Sequence, residues 1–288
     1  MTSHSDTVKG LFLMTLATIL LACMHGLVRY ISQDLHPFVI AFYRNLFGLV
    51  AVLPLVLKIG LSGLRMHQPK LMVLRSVLGI FGMLVWFYGL SKVPTAEATA
   101  LSFAAAIFTA ISAFILLKEK IRLRRLVAII GGLIGVLVVL QPSGDSYNPY
   151  MWLIVVACVF WGLSMTIVKI LTRTESTISI VVWMSVILTI FSLPPALLVW
   201  QWPDWDQILL LGLMGVFATV GHLCLTRACA LADITAVMSI DFMRLIWAAL
   251  IGIFFFSDAF YLHTWIGAVI IFASGLYIIF RESGAKKA

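Results

Sequence analysis

Hydrophobic positions in this chain run in long stretches separated by short polar turns, and ten of these stretches are about as long as the ~20 residues a helix needs to cross a bilayer. They cover residues 9–31, 37–58, 70–91, 94–117, 123–140, 149–171, 177–200, 206–228, 233–256 and 262–281. The pattern predicts an all-α membrane protein of ten transmembrane helices. The first stretch is too long and too evenly apolar for a signal-peptide core, and no small-residue cleavage site follows it. It is expected to stay in the mature protein.

The stretches fall into two sets of five. Ala96-Glu97-Ala98-Thr99-Ala100 recurs 136 residues later as Ala232-Asp233-Ile234-Thr235-Ala236, and Gly79 and Phe81 meet Gly215 and Phe217 at the same offset. At an offset of 140, Ala17, Val28, Arg29, Leu53 and Pro54 meet Ala157, Val168, Lys169, Leu193 and Pro194. The difference between the offsets is a short indel. The expected units are residues 9–140 and 149–281, joined by the polar connection from Gln141 to Asn148. Each unit holds an odd number of spans, so the second must be inverted relative to the first. Inverted repeats are the architecture of alternating-access transporters.

Composition agrees with immersion in lipid. Apolar residues make up 62% of the chain, mean hydropathy is +1.09 and charged residues are only 11%, against about 25% in a soluble domain. The net charge of +8 could suggest a nucleic-acid partner, but the basic residues sort by membrane side. With both termini placed in the cytoplasm, fifteen of the twenty Lys and Arg residues lie inside, and the outer connections after spans five, seven and nine carry none. That is the positive-inside bias of an inserted protein; it predicts a bacterial inner (plasma) membrane location and argues against nucleic-acid binding. Trp200, Trp202 and Trp205 mark one outer boundary. Cys23, Cys158, Cys224 and Cys229 lie within spans, without metal-ligand spacing, and read as small buried apolar residues. No metal or cofactor is expected.

Charges deep in the membrane are the sharper signal, since each costs at least ~2.5 kcal/mol at the bilayer centre. Arg44 is about 10 Å into span two, and Asp241 and Arg244 are about 12 to 17 Å into span nine, at 1.5 Å per residue. Asp241 and Arg244 share a helix face and can neutralise each other, which leaves Arg44 to dock a carboxylate or phosphate. The alternative pairs Arg44 with Asp241 across the repeats. Asp241, His25 and His222 are the candidates for proton coupling. Tyr43, Trp86, Tyr88 and Trp161, with Ser102 on a small-residue face of span four, suit the lining of a small-molecule site, although ordinary bundle packing uses the same residue types. Pro54 and Pro194 sit near opposite faces, where a kink serves inner and outer gates. Glu97 and Asp233 read as acids at helix starts, and Gly131 with Gly135 as a close-packing pair.

The ten spans, the two repeats, the stretch from Trp86-Phe87-Tyr88-Gly89 through Thr95-Ala96-Glu97-Ala98-Thr99-Ala100-Leu101-Ser102-Phe103, and Lys118-Glu119 ending span four resemble the drug/metabolite transporter superfamily in its EamA-like branch. Phe42-Tyr43-Arg44-Asn45-Leu46-Phe47-Gly48 and Asp241-Phe242-Met243-Arg244-Leu245 are most similar to the S-adenosylmethionine-type, organic-anion and amino-acid transporters of that branch. The resemblance implies secondary transport by alternating access around a cavity lined by spans one, three, four, six, eight and nine. Two departures stand out. Where relatives often place a proline in mid span four, this chain has Ala104-Ala105-Ala106, which argues against a bend there. Span nine ends in Ser257-Asp258 in place of the usual Gly-Glu.

The expected function is therefore transport of a small anionic or zwitterionic metabolite, such as an amino acid, an organic acid or an S-adenosylmethionine-like solute. The alternative is a lipid-linked phosphate flippase. A passive channel fits poorly with paired kinks at opposite faces, and an enzyme would need a nucleophile–base pair, a metal cluster or a phosphate-binding loop that the motifs do not supply. The expected partners are the solute and the lipid bilayer. A homodimer is left open, because nothing in the sequence separates a dimer face from a lipid face.

Overall fold

Every regular element among the described residues is an α-helix, as long apolar runs in a water-free medium require: a helix satisfies its own backbone hydrogen bonds. The computed structural model describes residues 4–59, 66–117, 123–141, 148–171, 174–175, 177–231, 240–241, 243–259 and 261–285. The helices are α1 (His4–Ile31), α2 (Pro37–Ile59), α3 (Pro69–Leu90), α4 (Thr95–Ser102), α5 (Ala105–Leu117), α6 (Leu123–Leu140), α7 (Met151–Leu171), α8 (Thr177–Leu197), α9 (Trp205–Leu231), α10 (Met243–Phe256) and α11 (Leu262–Ala285). Six segments are long and apolar enough to cross a membrane, and four shorter apolar helices, Ile129–Leu140, Val182–Leu198, Met243–Phe256 and Leu262–Ser274, fill the remaining expected spans. Asp233 and the rest of the second repeat motif lie outside the described residues.

Helices from the first half pack on helices from the second. α1 lies against α9 and α10, α2 against α8 and α9, α3 against α7 and α8, α4 against α10, α5 against α7, and α6 against α11. Glycine sets the closest approaches. A Cβ on Gly135 would come within 3.0 Å of the Gly267 carbonyl oxygen, and one on Gly267 within 2.8 Å of the Gly135 oxygen, so α6 and α11 meet backbone to backbone.

The fourth span corrects the sequence reading. Despite the alanine run, its helix stops at Ser102 and restarts at Ala105. Phe103 and Ala104 close tight i→i−3 bonds to the oxygens of Ala100 and Leu101 at 3.4 and 2.9 Å, the local 3₁₀ winding that marks a helix break. One cause is local and the others are tertiary. Ser102 Oγ bonds back to the Thr99 oxygen at 2.7 Å, a contact that bends helices. The Cys158 thiol of α7 donates to the oxygens of Leu101 and Ser102 at 3.5 and 3.8 Å. Beyond the break, a Cβ on Gly162 would lie 2.7 Å from backbone atoms of Phe108 and Thr109. The bare glycine therefore lets α5 press onto α7, where Ser112 Oγ bonds the Gly162 oxygen at 3.0 Å and Thr166 Oγ1 at 2.5 Å.

The connections gather at two ends. At one, the backbone N–H of His36 donates to Gln201 at 3.3 Å and Asn148 donates to the Lys92 oxygen at 2.8 Å. There Arg29 at the end of α1 forms an ion pair with Asp258, Nη2 to Oδ1 2.7 Å. At the other end the Glu175 carboxylate accepts from the backbone N–H groups of His67 and Gln68, both at 2.6 Å, and from His67 Nδ1 at 3.3 Å. Glu175 thus caps α3, whose first residue is Pro69, and ties it to the connection between α7 and α8.

Candidate functional site

The break in span four lies beside the charged centre of the molecule. Phe103, in the gap between α4 and α5, presents its ring to the Arg244 guanidinium, 5.3 Å from cation to centroid. Arg244 also holds Asp241 at 3.2 Å, one helical turn away. Of the two pairings left open by the sequence, the intrahelical one is present. Arg44 Nη1 donates to Asn45 Oδ1 at 3.0 Å and approaches Met83 Sδ at 4.0 Å; among the described residues no carboxylate forms an ion pair with it. Asn45 in turn reaches Ser192 Oγ of α8 at 3.3 Å.

These cations share one region. His25 of α1 lies within electrostatic reach of Arg244, Arg44 and His222, and His222 of α9 within reach of Arg44, Arg244 and Arg75. An aromatic row runs alongside. The His25 ring is 5.2 Å from Trp86, and Trp86 is 5.0 Å from Trp161, centroid to centroid. Trp86 is fully buried, and Gly82, one turn before it, leaves space for the Trp161 ring, which a Cβ would meet at 2.9 Å.

The site is rich in buried polar atoms without a protein partner: His25 Nδ1, Arg44 Nε, Arg244 Nε, Asp241 Oδ1, Trp86 Nε1, and Nε and Nη1 of Arg75. Buried polar groups are normally satisfied; here several that are not lie in the region of the tilted His25, Trp86 and Trp161 rings.

Two sequence candidates, Tyr43 and Tyr88, fall elsewhere, and a third, Ser102, is engaged in the break itself. Tyr43 neighbours Arg44 in sequence but projects to another face of α2, where its ring meets Phe47 at 6.2 Å and Trp200 at 5.8 Å. Tyr88 faces an open vestibule of about 300 Å³ at the Lys92 end, lined also by His36, Lys92 and Gln201. Burial and the nearby Lys92 charge push the His36 imidazole below its ordinary range. Ser102 is buried in the span-four break and bonds its own helix. Pro54 lies within α2 and Pro194, followed by Pro195, in the last turn of α8. Arg75, 8% exposed, escaped the sequence reading: five residues after Lys70 it resembles an interfacial anchor, and only the packing of α3 on α7 and α8 encloses it.

The sequence pattern of the EamA-like transporter family matches residues 8–141 and 148–281. The chain belongs to the EamA-like transporter family. It is a multi-pass membrane protein of a family of transporters, not of enzymes. This EamA-like chain is 32% identical over 257 residues to the S-adenosylmethionine uptake transporter of Rickettsia bellii, covering 89% of the chain and 88% of the relative. It is 31% identical over 259 residues to the riboflavin transporter of Brucella anthropi, covering 86% and 90%. The riboflavin transporter of Vibrio cholerae is 29% identical over 276 residues, covering 94% and 92%. One solved crystal structure, 18% identical, matches 96% of this chain and 97% of its own with a TM-score of 0.61, which shows a shared fold.

Proposed function

We propose that this EamA-like transporter is a secondary transporter that binds a small metabolite bearing both a flat heteroaromatic ring and an anionic or polar group. Binding takes place between Arg44, Arg75, Arg244, Trp86 and Trp161, and the solute is exchanged across a bacterial inner membrane by alternating access. One observation carries the reading: several buried, unsatisfied guanidinium nitrogens stand beside a row of aromatic rings in tilted contact. S-adenosylmethionine and riboflavin, named for the relatives, both contain such a ring. Nothing in the comparisons supports lipid-linked phosphate as cargo.

The packing supports repeats at 9–140 and 149–281 related by inversion. If each span in the first five exchanges with its equivalent in the second, the α1–α9 contact becomes α7–α3, α1–α10 becomes α7–α5, and α2–α9 becomes α8–α3. All six contacts exist, and α2–α8, α4–α10 and α6–α11 map onto themselves. This exchange of contacts supports two modules about a twofold axis, here read with both termini in the cytoplasm. In that frame the Arg29–Asp258 pair closes the outer end and the Glu175 cap the inner end. Pro54 and Pro194 give the two gate helices their bends, Asp241 balances Arg244, and Asp241, His25 and His222 are the groups available for proton coupling.

The test is uptake of radiolabelled S-adenosylmethionine and of riboflavin into proteoliposomes holding the purified chain. Arg44→Ala removes a charge-assisted contact worth about 1.5–3 kcal/mol, a loss of roughly 10- to 150-fold in apparent affinity for whichever probe is moved. Uptake of a probe that is the same in Arg44→Ala, Arg244→Ala and the parent chain would remove the arginines from the binding site.

A further inference from the structure

The Arg29–Asp258 pair has a third member that the substrate site does not use. Glu97, in the first turn of α4, is 3% exposed, and its Oε2 has no hydrogen-bond partner. It lines a small cavity with Asp258, Tyr261, Thr264 and Trp265. The cavity measures about 20 Å³, room for a single water. Thr264 Oγ1, also on this cavity, is buried without a partner too. Arg29, which reaches over from α1, gives its guanidinium to both Asp258 oxygens and to Thr95 Oγ1 at 3.3 Å, and lies 4.3 Å from the Phe256 ring. Both it and Asp258 act electrostatically on Glu97.

Asp258 is held for this role by the backbone. Ser257 adopts φ 55°, in the left-handed region, and folds the chain back so that the Asp258 N–H reaches the Gly252 oxygen at 3.0 Å. A Cβ on Gly252 would come within 2.6 Å of the Asp258 carboxylate.

A buried carboxylate and a partly buried one beside a single guanidinium leave an odd charge, and a buried charge without a partner is what a low-dielectric interior least tolerates. We propose that Glu97 is a proton-binding site built into the outer gate: a proton on its carboxyl completes the charge balance of the closed Arg29–Asp258 latch, and its departure opens the latch. When the proton leaves, the Glu97 carboxylate competes for Arg29 and draws water to the cavity, and the bridge from α1 to the segment after α10 parts. The proton is released to the outer aqueous solution that reaches the cavity as the latch parts, so the step needs no other reactant. Around Glu97, α1 contributes Arg29 and the segment between α10 and α11 contributes Asp258 and Tyr261. α11 offers Thr264 and Trp265 at the cavity, with the His263 ring tilted against Tyr261 at 5.2 Å. Among the described residues, no charged group of α3, α6, α7 or α10 acts on it, Arg244 included.

This inference rests on the alternating-access reading, but it is tested without any transported solute. Spin labels on Gln33→Cys and Ala259→Cys, one on each side of the latch in a chain whose native cysteines are replaced by alanine, report the opening in nanodiscs between acidic and alkaline buffer. The expected result is a short distance in acid and a longer, broader distribution in alkali; Glu97→Gln, which keeps the carboxamide neutral at every pH, stays short throughout. Infrared difference spectra of the chain with its native cysteines give a second measure: a protonated-carboxyl band that fades on alkalinisation and is missing from Glu97→Gln. A distance that ignores pH, or a Glu97→Gln chain that opens in alkali like its parent, overturns the proposal, as does an unchanged carboxyl band in that variant. None of these outcomes depends on whether the proteoliposomes take up S-adenosylmethionine or riboflavin, so the two readings fail separately.

Discussion

Glu175→Gln keeps the shape of the cap on α3 and removes its charge. In the native chain the carboxylate, with its side chain fully buried, accepts from two backbone N–H groups and from His67. Burial by itself would raise this carboxyl, but the Gln68 N–H, the His67 side chain and the His67 N–H outweigh it and hold the group below the usual carboxylate range. The amide retains one acceptor oxygen and turns its NH₂ toward donors, so about one charged hydrogen bond is lost, worth roughly 1.5–3 kcal/mol. Placing the carboxylate at a helix N-terminus adds about 0.3–1 kcal/mol at most. The sign with pH follows from the depressed value: the contribution is complete above the unfolded carboxylate pKa, and it disappears as pH falls through the lower folded one. Thermal unfolding of detergent-solubilised protein, followed by tryptophan fluorescence, should show Glu175→Gln melting below the parent at neutral pH. The two curves should converge in acid. A gap that persists unchanged below the carboxylate range, or no gap at neutral pH, refutes the assignment of the cap to a buried charge.

Glycine replacements should separate by what a Cβ meets. Gly135→Ala drives a methyl into the Ile271 N and Gly267 oxygen at 2.9 and 3.0 Å, whereas Gly131→Ala meets only the movable Ser274 hydroxyl at 3.1 Å; the first should cost about 1–3 kcal/mol and the second much less, read as melting temperatures in the same detergent. Trp86→Leu removes the ring between His25 and Trp161, so the probe taken up by the proteoliposomes should lose about 0.5–1.5 kcal/mol of affinity. Tyr88→Leu, out in the vestibule, should change it less; equal effects would dissolve the aromatic row as a binding feature.

The sequence by itself determined the medium, the helices and the family. Apolar runs of bilayer length can only be helices, since lipid offers no hydrogen bonds, and the motifs shared with relatives lie in contiguous stretches. It also singled out Arg44, Asp241 and Arg244, because a charge among apolar residues is visible without coordinates. What the tertiary structure decided was which neighbours those residues have. The break at Phe103 depends on the Cys158 thiol and on Gly162, more than fifty positions away, so an alanine run misleads a local reading. Helical phase sends Tyr43 away from Arg44 although they are adjacent. Arg75 and Glu97 look like ordinary helix-start residues in one dimension; only packing encloses the first and leaves the second without a partner opposite Asp258. Hydrophobicity is a property of a segment, but an unsatisfied charge is a property of a place where several segments meet.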